Sequence, residues 1–118
     1  MTQKYEVVLS SYAQRDIKNI GDYIYYNLNA PLAAVRNVED LYNTIQNLAQ
    51  YPYRFSHCNN LELAIRKIRE QQFKHYRITY IVDEPNRRVA VLRVLHTLSN
   101  HTEDKYTGLQ NEVDIFKK

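Results

Sequence analysis

The apolar residues of this 118-residue chain change period once, and that change restricts the fold more than any other feature. From Ala13 to Leu48 they recur every three or four positions, whereas from Leu63 onward they tend to alternate. The first spacing lines one face of a helix and the second one face of a strand. Helices followed by a block of strands point to an α+β domain.

Ala13, Ile17, Ile20, Ile24 and Leu28 predict an amphipathic helix of about five turns, and Ser11 with Gln14 predicts a capping box at its start. Gly21 permits another backbone to approach that helix closely. Pro31 suits the first position of a second helix, in which Ala34, Val38, Leu41, Ile45 and Leu48 keep the spacing until Tyr51-Pro52. The few residues between them make the two an antiparallel hairpin. Ahead of the helices, Tyr5-Glu6-Val7-Val8-Leu9 reads as a strand. After a polar loop from Tyr51 to Asn60, the runs 63–69, 75–82 and 88–95 predict three more strands. Asp83-Glu84-Pro85-Asn86-Arg87 is a tight-turn composition that pairs the last two as a hairpin. The expected class is α+β in the order β-α-α-β-β-β: an N-terminal strand and a long antiparallel helical hairpin packed on an antiparallel β-sheet. Residues 1–98 form the domain, and 99–118 form a polar tail that is a short helix over the sheet or partly disordered.

Several chemistries are excluded early. Cys58 is the single cysteine, so neither an intrachain disulfide nor a cysteine-rich zinc cluster can form. Gly21 and Gly108 are the two glycines, too few for a phosphate-binding glycine loop or a Gly-x-Ser-x-Gly elbow. His57, His75, His96 and His101 lack the His-Glu-x-x-His spacing, and His57-Cys58 reads as an ordinary loop pair, so no metal and no cofactor are expected. No window approaches the roughly 18 apolar residues of a membrane span, and residues 1–6 lack an apolar secretory stretch, so a cytoplasmic protein is expected.

The net charge is only +3, but its placement is uneven. Residues 66–96 carry eight Lys/Arg against three Asp/Glu, while the segments on either side each carry one more acid than base. Concentrated positive charge is the footprint of phosphate binding or of an acidic protein partner, and its plain alternative is a set of solvated strand edges. If Ile78, Tyr80 and Val82 face the core, His75, Arg77 and Thr79 face the other side of the sheet. Ile68 facing inward would add Lys67 and Arg69. The expectation is one concave, basic, open face gathering Lys67, Arg69, Arg77 and Arg93.

Short motifs in a fixed order then carry a family resemblance over residues 5–96. They are Val8-Leu9-Ser10 with Ala13 and Asp16-Ile17, then Ile24, Leu48-Ala49 and Tyr51-Pro52, then Ile65-Arg66-Lys67-Ile68-Arg69. Tyr76-Arg77-Ile78, Tyr80, Val82-Asp83 and Val91-Leu92-Arg93-Val94-Leu95-His96 complete the series. In this order the chain resembles the RelE/ParE toxin superfamily, the toxins of bacterial type II toxin–antitoxin modules and plasmid-stabilisation systems. The resemblance implies two helices on an antiparallel sheet, a cognate antitoxin as partner, and growth inhibition by one of two routes. RelE-like members cut messenger RNA on the ribosome without a metal; ParE-like members poison DNA gyrase without catalytic groups of their own.

Carried onto this sequence, the messenger RNA interferase pattern is the leading expectation. It makes Lys67, Arg69, Arg77 and His96 catalytic and His75, Arg93 and Tyr106 RNA-binding. Cations on a rigid sheet would stabilise the charge of a cleaved phosphodiester, imidazole at His75 or His96 would serve as base, and Tyr106 would stack on a base or bind phosphate. The segment Thr97-Leu98-Ser99-Asn100 departs from the pattern, because many relatives carry Arg or Lys there. The alternatives are a gyrase poison, toward which Tyr23, Tyr25 and Tyr26 on the helical hairpin point, and a non-toxic nucleic-acid-binding relative. Those tyrosines would equally suit a homodimer contact.

Overall fold

The protein is described here by a computed structural model covering residues 4–98 and 103–106. Strand β1 (Glu6–Leu9) leads into helix α1 (Ser11–Asp22), which continues through a π-helical turn (Tyr23–Asn27). Helix α2 (Pro31–Gln46) returns along it and begins at Pro31, as the sequence predicts. A loop with two short 3-10 turns leads to helix α3 (Leu61–Ile65) and to strands β2 (Arg69–Phe73), β3 (Tyr76–Asp83) and β4 (Arg88–His96). The sheet order is β1-β4-β3-β2. Residues Glu103–Tyr106 form a final 3-10 turn; the remainder of the expected tail, 99–102 and 107–118, lies outside the described residues.

The sheet is mixed, which corrects the all-antiparallel expectation. β2, β3 and β4 form an antiparallel meander, but β1 lies parallel to β4, with Glu6 opposite Arg88 and Leu9 opposite Val91. Parallel neighbours need a long crossover, and here nearly the whole chain supplies it. The helix cap also sits one residue earlier than Ser11. Ser10 is the N-cap: its Oγ accepts from Ala13 N at 2.9 Å and donates to Leu92 O at 2.6 Å, while its own N–H donates to Val91 O. Gly21 meets a side chain rather than a backbone, since a Cβ there would lie 3.0 Å from Val38 Cγ2.

The run 63–69 is not a strand. Its alternating Leu63 and Ile65, with Leu61 just ahead of the run, suit one helical turn, and Asn60 starts that turn by accepting from Glu62 N and Leu63 N. Lys67, at a left-handed φ of 63°, then ends it. Consequently β2 starts at Arg69, and His75 belongs to the Lys74-His75 turn between β2 and β3 rather than to a strand.

Both faces of the sheet are covered. On the helical side Ile17, Ile20, Leu41, Ile45, Ile78, Tyr80, Val89 and Val91 form the main core. On the other side Cys58, Leu63, Ile68, Ala90, Leu92 and Tyr106 form a second apolar cluster, so the expectation of an open polar face fails. A bulge allows this: Thr79 pairs with Arg93 and Tyr80 with Val91, which leaves Leu92 as the extra residue. Tyr106 is 0% exposed, and its hydroxyl lies 3.1 Å from Thr79 Oγ1.

β1 ends before β4 does, and α1 takes over the uncovered length of β4. Asp16 accepts from Val94 N at 3.0 Å and, in a two-pronged pair, from Arg93 Nε at 2.8 Å and Nη2 at 2.9 Å. The two side chains are only 16% and 12% exposed. Asp16→Ala leaves both a guanidinium and a strand N–H without their acceptor, so urea unfolding should show a loss of about 3 kcal/mol. Asp16→Asn, which keeps one acceptor oxygen, should lose less. A second measurement concerns Cys58, whose thiol is pushed up to about 12, first by burial and then by Glu70. At pH 8 only about one molecule in ten thousand would be thiolate. Iodoacetamide should therefore modify the folded protein at least about a hundredfold more slowly than the urea-unfolded one; equal rates would contradict the second cluster.

Candidate functional site

The cations that the sequence places on one face are divided by the fold. Arg69 lies opposite Tyr80 in the β2–β3 register, and its Nη1 donates to Phe55 O at 2.6 Å and to Tyr53 O at 3.2 Å. It thus holds the loop before α3. Arg93 is bound to Asp16 and also donates to Lys105 O at 2.8 Å, tying the last turn to β4. Arg77 faces Glu70 at 3.6 Å. Lys67 is exposed at its left-handed turn position. Tyr106 lies under the surface, with its phenol pushed up to about 12 chiefly by burial, so it cannot stack on an incoming base from this position.

Among the described residues, two clefts lie at opposite ends of β3, each about 560 Å³. The first, beside Ile81 to Pro85, brings together Lys67, Arg69, His57 and Tyr53 with the carboxylates of Asp83 and Glu84. Glu84 accepts from the hydroxyls of Tyr53 and Tyr5 and pairs with Arg87. These hydrogen bonds, led by that of Tyr53, hold its carboxyl below the ordinary range, while burial and Glu84 push the Tyr53 phenol up to about 12. The second cleft, beside Tyr76, is lined by Lys74, His75 and His96 over an apolar floor. The two imidazole rings are nearly parallel with centroids 6.2 Å apart, and His96 Nδ1 accepts from Leu98 N at 3.0 Å.

From Tyr76 to Asp83 an extended strand spans roughly 23 Å. The fold therefore brings Lys67 together with Arg69, and His75 together with His96, but keeps the two groups at opposite ends, with Arg77 and Arg93 engaged between them. One phosphodiester cannot meet the whole set. Among the described residues no group of three or more His, Cys, Asp or Glu could hold a metal ion, and no helix is long and apolar enough to cross a membrane.

One feature escaped sequence reasoning, and another was legible only in its tyrosines. Lys74 stands at the second cleft because its Nζ donates to Asn37 Oδ1 on α2 at 2.6 Å, a contact across the fold with no local signature. The tip of the helical hairpin carries Tyr23, Tyr25, Tyr26, Leu28, Leu32 and Val35 exposed together. Leu28, which the helical spacing assigns to the core, is among them because the π-helical turn shifts the face that it presents.

The comparisons with known proteins agree on this architecture. The family model described as the ParE toxin of the type II toxin–antitoxin system parDE matches residues 7–100. The RelBE2 toxin–antitoxin complex of Mycobacterium tuberculosis contains a chain that is 20% identical, superposing with a TM-score of 0.59 over 79% of this chain and 91% of that one. In the chromosomal ParDE toxin–antitoxin system of P. aeruginosa the identity is 16% and the TM-score 0.66, over 80% of this chain and 98% of that one. At such identities the likeness is one of fold. No curated protein matches the sequence. With the helical hairpin and the meander inside the matched segment, the chain belongs to the ParE toxin family of type II toxin–antitoxin systems.

Proposed function

We propose that this toxin arrests growth by gripping a protein, DNA gyrase, rather than by cutting messenger RNA, and that a cognate antitoxin holds it silent. The observation that carries the reading is the dispersal of the cations. Cleavage of a phosphodiester draws on donors preorganised around one phosphate. Here Arg93 and Arg69 are committed to internal acceptors, and His75 and His96 stand at the other end of β3 from Lys67.

The hairpin tip supplies the surface that a protein-binding toxin needs. Tyr26 is 73% exposed and Leu32 74%, with Tyr25 packed against Tyr26 at 4.7 Å between ring centroids. Clustered exposed aromatic and aliphatic side chains are typical anchors of protein interfaces. An antitoxin follows from the family, whose model names a two-component system, and from the solved relatives, which are toxin–antitoxin complexes. The arrangement favouring messenger RNA cleavage is the His75–His96 pair beside Lys74, which offers imidazoles next to a cation.

Purified chain incubated with gyrase, ATP and supercoiled plasmid should accumulate trapped DNA cleavage complexes, while messenger RNA in a translating extract stays full length. Tyr26→Ser combined with Leu32→Ser, both at exposed positions, should reduce trapping by about tenfold or more without lowering stability. Cut messenger RNA, with cutting lost in Arg77→Ala or His96→Ala and gyrase unaffected, would reverse the conclusion.

A further inference from the structure

Helix α1 ends in a wider turn than an α-helix makes. Across Tyr23–Asn27, Tyr23 O accepts from Leu28 N at 3.2 Å, five residues on rather than four, and Ala30 N reaches back to Ile24 O at 3.1 Å. Asn29, at a left-handed φ of 51°, closes the end. The widened turn leaves Leu28 exposed, although the helical spacing would return it to the face of Ile20 and Ile24. A departure that gives up apolar burial points toward function rather than stability.

That turn shapes the exposed tip of the helical hairpin. Neighbouring residues of an α-helix point about 100° apart and do not face each other. In the wider turn Tyr25 and Tyr26 pack together instead, with ring centroids 4.7 Å apart. Beside them opens a cavity of about 330 Å³, lined also by Gly21, Ala34, Val35 and Val38. The two helices are in tight contact there, since a Cβ on Gly21 would lie 3.0 Å from Val38 Cγ2. Asp22 and Glu39 line the cavity too, so it disfavours an acidic side chain. Rings and pocket thus stand preformed on a pair of helices held together.

We propose that the π-helical turn is the positioning element of the gyrase grip: it sets Tyr25 against Tyr26 as one wall of a pocket that takes a single bulky apolar side chain of that enzyme. The inference rests on the gyrase reading above and narrows it from an exposed patch to one arrangement. Anchor side chains seated in pockets carry most of the binding energy of protein interfaces. The lining selects the occupant, because two aromatic rings and two valines favour an apolar side chain while the carboxylates exclude an acid. The same tip residues in a different arrangement would not serve.

The test titrates the full chain and two variants into gyrase, ATP and supercoiled plasmid and reads the trapped DNA cleavage complexes. Deleting Asn27 removes one residue between Tyr23 and Leu28, so that their hydrogen bond takes the ordinary α-helical span while every apolar side chain of the tip is kept. This variant should melt no lower than the unaltered chain. Its concentration for half-maximal trapping should rise about tenfold or more with the plateau unchanged, as the loss of a contact rather than of the fold requires. Val35→Trp, at an exposed position, fills the pocket yet makes the tip more apolar. It should raise that concentration by a similar factor, and it decides the matter should the deletion fold poorly. Half-maximal trapping at an unchanged or lower concentration in Val35→Trp, or in a folded deletion variant, would overturn the inference and leave the gyrase reading intact. Absence of trapping by the unaltered chain would overturn both.

Discussion

The fold depends on how one edge of one strand is finished. β4 runs for nine residues, and β1 covers only its first part. A strand edge with unsatisfied N–H and C=O groups, packed under a helix, would be costly, because water cannot reach in to replace the missing partner. Ser10 and Asp16 supply what β1 does not. Ser10 bonds the carbonyls of Val91 and Leu92, and Asp16 takes the N–H of Val94 together with the guanidinium of Arg93. The same two residues start α1 and fix its second turn against the sheet. Cap, edge and ion pair are therefore one structure, and the direction of the helical hairpin follows from it.

That structure accounts for which parts of the fold were legible in the sequence. The helical hairpin and the β3–β4 hairpin were readable because their signals are local: apolar spacing, Pro31 at a helix start, a turn composition at 83–87. The parallel β1–β4 pairing was not, since its partners are separated by most of the chain and nothing near residue 6 encodes residue 88. α3 was missed because five residues of alternating apolar character fit a short strand as well as one helical turn, and the Asn60 cap decides between them. The open basic face failed for a related reason. Alternation says which side of a sheet a residue faces, but not whether that side is already covered, and Cys58, Leu63 and Tyr106 cover it.

The candidate site was legible only as a set of residue types. Arg93 and Arg69 stand in cation-rich strands, yet their partners, Asp16 and the carbonyls of Tyr53 and Phe55, come from elsewhere in the chain. A basic sequence segment is consequently no guarantee of a basic surface: half of the proposed cations work as internal struts. By contrast, Lys74 looks unremarkable in the sequence and becomes distinctive only through Asn37 and a left-handed turn. The toxin family therefore accommodates here a sheet whose charged residues serve the scaffold, with exposed apolar character moved to the helical tip.

The bond between Asp16 and Arg93 joins residues 77 positions apart in sequence. During synthesis the helical hairpin can form early, but its supporting sheet cannot close until the segment past Val94 has left the ribosome exit tunnel. Until then the nascent hairpin lacks the strand against which Asp16 anchors it.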